Sequence, residues 1–75
     1  MNSKLPRVDA KHLIKVVEKL GFELVRQSGS HIIYKNAKGQ RLTIPYHTGK
    51  ILHPKIVRSA LKDMNIDIEE FKKLL

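Results

Sequence analysis

The sequence predicts a two-layer α+β domain in the order α-β-β-β-α, with three antiparallel strands covered on one face by helices and a short extra helix at the C-terminus. Two observations carry this prediction. Apolar residues recur at helical spacing at Ala10, Leu13, Ile14, Val17 and Leu20, and again at Val57, Ala60, Leu61 and Met64. Between those stretches lie three short runs of β-forming residues separated by turn chemistry. With 75 residues in all, the chain is expected to form one domain over residues 1–75, without a repeat or a low-complexity segment.

Each element has a local reason. Asp9 is a good N-cap for the first helix, Gly21 suits its C′ position, and Lys11, Lys15 and Lys19 line its outer face. Residues 22–27 (FELVRQ) alternate and read as a strand, and Ser28-Gly29-Ser30 reads as a turn. Residues 31–35 (HIIYK) form the second strand, Asn36-Ala37-Lys38-Gly39 a hairpin loop, and residues 40–44 (QRLTI) the third strand, stopped by Pro45. A loop over residues 46–52 leads to Pro54, which fits the first position of the second long helix. Lys55, Arg58 and Lys62 form a basic stripe on that helix. In the tail, Asp67 caps a third helix, with Glu70 at N3 as its reciprocal partner and Ile66 placed to staple onto Phe71. The first eight residues are expected to be loosely held.

Charge is the first functional signal. Fifteen Lys and Arg stand against seven Asp and Glu, a formal net charge of +8. From residue 24 to residue 62 there is no carboxylate, while Arg26, Lys35, Lys38, Arg41, Lys50, Lys55, Arg58 and Lys62 all fall there. A field of one sign over half a small domain suits a polyanion. Cysteine is absent, so no disulfide framework, thiolate zinc site or cysteine nucleophile is available. No apolar run reaches the length of a membrane span, and the first seven residues lack the apolar core of a secretory signal, so the expectation is a cytoplasmic protein.

The same composition narrows the chemistry. Two-metal hydrolysis needs clustered carboxylates, and the middle of the chain has none; no metal site and no cofactor is expected. Ser3, Ser28, Ser30 and Ser59 lack a central Asp to complete a triad, and there is no nucleophile elbow or glycine-rich phosphate loop. Histidine remains, able to take or give a proton near neutral pH. RNA carries its own nucleophile, the 2′-hydroxyl, so a ribonuclease needs only proton transfer and cations around the phosphate. His31 opens a strand directly after Ser28-Gly29-Ser30, a position that exposes an imidazole beside a glycine. By residue type alone, such a histidine is more often structural than catalytic. His47 follows Pro45 in a loop, His53 reads as a helix-entry residue, and His12 as a solvated group on a lysine-bearing face.

At these residues the chain resembles a family. Leu20-Gly21-Phe22, then Arg26-Gln27-Ser28-Gly29-Ser30-His31 with Ile32, Ile33 and Tyr34, are similar to the HicA toxins of bacterial and archaeal type II toxin–antitoxin systems. The similarity continues through Ile44-Pro45, His47, Lys50-Ile51-Leu52, Ile56-Val57-Arg58-Ser59-Ala60-Leu61 and the closing Ile68-Glu69-Glu70-Phe71. The resemblance implies a double-stranded-RNA-binding-domain-like fold and a metal-independent mRNA interferase that inhibits translation. It implies that His31, in Gly-Ser-His, is the general acid or base, that Gly29 and Ser30 shape the turn presenting it, and that His47 gives catalytic support. Members often carry a polar residue after the histidine; Ile32 stands there, so the group protonating the leaving 5′-oxygen is not assigned. On charge, Lys35, Lys38, Arg41 and Lys50 are expected to hold the RNA backbone. The resemblance also implies a HicB-like antitoxin whose acidic surface covers the basic face, with DNA bound only indirectly through the antitoxin complex.

Two other readings compete. A non-catalytic double-stranded-RNA-binding module would use Lys55, Arg58 and Lys62 to bridge phosphates, and would be indifferent to His31→Ala. A ribosome-associated basic protein would co-sediment with ribosomes and leave mRNA intact. Gly29-Ser30-His31 and the carboxylate-free centre favour the nuclease.

Overall fold

A computed structural model describes residues 4–47 and 49–75. Its elements follow the expected order: α1 (Ala10–Lys19), β1 (Glu23–Ser28), β2 (His31–Lys35), β3 (Arg41–Pro45), α2 (Pro54–Met64) and α3 (Ile68–Leu74). The strands form one antiparallel sheet in the order β1-β2-β3. Ile32, Tyr34, Leu42 and Ile44 point to one face of it, where Leu13, Val16 and Val17 of α1 and Val57, Leu61 and Met64 of α2 complete the core. Phe71 of α3 is fully buried and closes that core at its end.

Caps set the helix boundaries. Asp9 accepts the backbone N–H of His12 at 2.9 Å, and the His12 ring nitrogen Nδ1 lies 2.6 Å from the same carboxylate oxygen. Those contacts, the backbone N–H first, hold the Asp9 carboxyl below its ordinary value of 3.8. His12 is thus exposed, as expected, but tied to the cap. Gly21, at φ +87°, ends α1: its N–H donates to the carbonyl of Glu18 and that of Phe22 to the carbonyl of Val17, a Schellman motif. The end of α2 repeats the arrangement with Asn65 in the left-handed conformation, donating to Lys62, and Ile66 donating to Leu61. His53 caps α2, its Nδ1 accepting the N–H of Lys55 at 3.0 Å, with Pro54 in the first turn. Asp67 accepts the N–H of Glu70 at 2.8 Å, which forms the forward half of the expected capping box.

Two expectations are corrected. The segment before α1 is not loose throughout: Val8 is buried, and its carbonyl accepts the N–H of Leu52 at 2.8 Å. Of the eight residues in that expectation, Met1, Asn2 and Ser3 lie outside the described residues. The loop over residues 46–52 is correspondingly anchored, through an isolated bridge between Asp9 and Ile51. Pro45 does not stop β3 short but is its last paired residue, opposite His31. A proline is tolerated there because β3 is an edge strand and needs no donor on its outer side.

Candidate active site

The sheet has one face filled by helices and one that no described element covers. Register decides which side chains stand on the open face, because directly opposite residues share a face. Ile32 and Tyr34 are buried, so His31, Ile33 and Lys35 point the other way. Their partners on β3 are Pro45, Thr43 and Arg41, and on β1 Ser28, Arg26 and Glu23. The open face is therefore three rows deep: Ser28–His31–Pro45, Arg26–Ile33–Thr43 and Glu23–Lys35–Arg41.

The turn that presents His31 has only two residues between paired positions, Gly29 and Ser30. Gly29 has φ +59°, the left-handed conformation that a tight hairpin needs at its first central position and that a side chain there strains. Two bonds brace the turn: the Gln27 side-chain amide donates to the Gly29 carbonyl at 3.1 Å, and the Tyr46 N–H to the Ser30 carbonyl at 2.6 Å. The second ties the start of the 46–52 loop to the residue before His31. The His31 side chain itself is exposed, free to meet a ligand from solvent.

Of the expected backbone-binding cations, the structure brings Lys35 and Arg41 together, directly opposite each other on the His31 face. Lys35 lies four positions beyond His31 along β2, about 13 Å at strand rise. Two like charges side by side are unfavourable in a sheet without a counter-charge; Glu23 flanks Lys35 from β1 and is the one carboxylate in the three rows. Lys38 sits apart in the hairpin loop, beyond the Lys35 end. There Asn36 organises the turn by accepting the N–H groups of Lys38 and Gln40. Lys50 is exposed in the loop at the opposite end, its N–H bonded to the carbonyl of His47. His47 belongs to that end too, but it lines a small cleft with Asp9, Ala10, Lys11, Tyr46 and Gly49 rather than standing in the His31 rows.

Arg26 and Ser28 are members of the open face that period-two reasoning misplaces. Counting from buried Phe22, alternation puts Arg26 on the helix side with Leu24. The register instead shifts between Leu24 and Arg26, leaving Val25 as an unpaired extra residue. This bulge turns Arg26 and Ser28 onto the face of His31. Leu24 and Val25, both exposed on an edge strand, are the visible trace of it.

The helix side is held by polar as well as apolar contacts. The Tyr34 hydroxyl is pushed above its ordinary value of 10.0, by burial first and then by the charge of, and a hydrogen bond to, Glu18 of α1. The Lys19 ammonium of α1 donates to the Leu74 carbonyl of α3 at 2.7 Å. Among the described residues, no three histidine or carboxylate side chains gather as a metal site would require.

Comparison with known families supplies the deciding observation: residues 10–66 match the family model described as the HicA toxin of bacterial toxin–antitoxin systems. The chain belongs to the HicA toxin family. No curated protein matches it. The match covers α1 through the end of α2, including the Gly29-Ser30-His31 turn and all nine residues of the open face. It runs from Ala10 to Ile66, so residues 1–9 and α3, with the resemblance of Ile68-Glu69-Glu70-Phe71, lie outside the family match. As a HicA-family protein the chain is the toxin component of a toxin–antitoxin pair.

Proposed function

We propose that this toxin is a metal-independent endoribonuclease that cuts mRNA and so stops translation, with His31 as its catalytic residue. The observation that carries the reading is the placement of His31 by a two-residue glycine turn onto an uncovered sheet face shared with Arg26, Lys35 and Arg41. In the reaction, the RNA 2′-oxygen attacks the adjacent phosphorus and loses its proton, while the bond from phosphorus to the 5′-oxygen breaks and that oxygen gains a proton. The products are a 2′,3′-cyclic phosphate and a 5′-hydroxyl. His31 serves as base or acid in this exchange; cations on the face offset the charge that grows on the phosphoryl oxygens. His47, one residue beyond the Tyr46–Ser30 tie, is the auxiliary group in this reading, on the family resemblance, and Lys38 and Lys50 extend the basic track past both ends of the sheet.

The partner is a HicB-like antitoxin in the same cytoplasmic compartment, covering the open face with an acidic surface. Association between such surfaces is fast and salt-sensitive. DNA is reached only through the antitoxin. The test is RNA cleavage by the purified chain in excess EDTA, beside His31→Ala shown to be folded. Cyclic-phosphate ends from the parent protein and none from His31→Ala are expected. Equal RNA binding by both without cutting would replace the nuclease with a binding module.

A further inference from the structure

Resting on that nuclease reading, we infer that Arg26 is the transition-state clamp of the site, a guanidinium held beside His31 by the bulge at Val25. The register makes it the nearest cation to His31 in the sheet. Ser28 stands opposite His31 and Arg26 two residues from Ser28, so Arg26 is the diagonal neighbour of His31. Diagonal positions in an antiparallel pair are about 7–8 Å apart, within reach of a long side chain. Lys35 and Arg41 stand a further row away.

The chemistry fits the residue type. A phosphorus under attack by the 2′-oxygen gains negative charge on its non-bridging oxygens. Arginine meets two such oxygens with two parallel N–H groups and keeps its charge at every pH at which the histidine works. Arg26 forms and breaks no covalent bond and moves no proton; it stabilises charge at a fixed place. Its row partners on the face, Ile33 and Thr43, carry no charge, and the one carboxylate on the face, Glu23 in the next row of β1, stands directly opposite Lys35. An unbulged β1 would turn Arg26 to the helix side, so the irregularity in the strand is what supplies the cation.

A charge-preserving swap tests this. Arg26→Gln combined with Leu24→Arg keeps the net charge of +8 and moves the guanidinium to the position opposite buried Tyr34, on the other side of the sheet, leaving the Gln27 brace of the turn in place. All six residues of β1 are exposed, so the core is untouched. The expected result with a short RNA oligonucleotide is a loss in kcat of about a hundredfold, with KM little changed. Arg26→Lys should recover part of that loss and Arg26→Gln alone should match the swap. Parent-like kcat in the swap, or in Arg26→Gln, would overturn the inference while leaving His31 as the catalytic group. A parent protein that never cuts RNA would overturn the nuclease reading and the clamp together, and so differs from failure of the clamp alone.

Discussion

At the scale of single residues, backbone conformation and placement decide more than side-chain identity. Gly29 is required by its φ of +59° in a turn with no spare residue. Gly29→Ala places a Cβ in a strained conformation costing about 1–2 kcal/mol and disturbs the residue that precedes Ser30 and His31. The expected outcome is a lower urea midpoint together with weaker cleavage, whereas a surface glycine of no consequence would change neither. Asn65 is the one described non-glycine residue with positive φ, at 59°. Asn65→Gly relieves that conformation and should raise stability by about 0.5–1 kcal/mol, read as a higher denaturation midpoint at unchanged m-value. Tyr34 gives a pH signature. Its hydroxyl titrates higher in the folded chain than in the unfolded one, so it contributes stability that is full below pH 10 and is lost as pH rises through the folded value. Tyr34→Phe should flatten the alkaline fall in stability that the parent chain shows above that pH.

At the scale of elements, the signals that end helices are legible in the sequence and the signal that bends a strand is not. Asp9, Gly21, Pro54 and Asp67 each act through chemistry local to a few residues, and the structure uses each where local reasoning places it. The His31 turn is legible for the same reason, since a glycine between two serines has one economical use between strands. The bulge at Val25 depends on pairing with β2, a long-range arrangement with no local signature, and so alternation alone cannot put Arg26 and Ser28 on the face of His31. The bond between Val8 and Leu52 is hidden on the same grounds: it joins segments far apart in the chain. α3 offers an element-scale prediction. Asp67→Ala removes the carboxylate that accepts the Glu70 N–H and should cost about 1 kcal/mol. Phe71→Ala removes a fully buried ring and should cost about 3–5 kcal/mol, a large share of the stability of an ordinary domain. Comparable losses in both variants would show that α3 is held by its cap rather than by core packing.

At the scale of the whole molecule, the chain is a plate with two unlike faces. Helices fill one and bury its apolar side chains; the other carries an imidazole and three cations against the single carboxylate of Glu23. Charge of one sign left side by side, as at Lys35 and Arg41, lowers stability and makes sense opposite a polyanion. The double variant Lys35→Ala and Arg41→Ala should lower RNA affinity and shrink the slope of log K against log salt by about 0.7 for each phosphate no longer neutralised. Removing Lys55, Arg58 and Lys62 from α2 should leave that slope nearly unchanged. The opposite ranking would favour a module that bridges the grooves of duplex RNA with its second helix.

The central claim is that the uncovered sheet face, and not the basic stripe of α2, is where RNA meets His31. The most direct measurement is amide chemical-shift mapping of the folded chain with a 2′-O-methyl RNA oligonucleotide, which binds as RNA does and cannot be cut. The account predicts shifts concentrated at Arg26, Ser28, Gly29, His31, Ile33 and Thr43, with α2 little affected. Shifts confined to Lys55, Arg58 and Lys62, with the His31 turn unmoved, would contradict it.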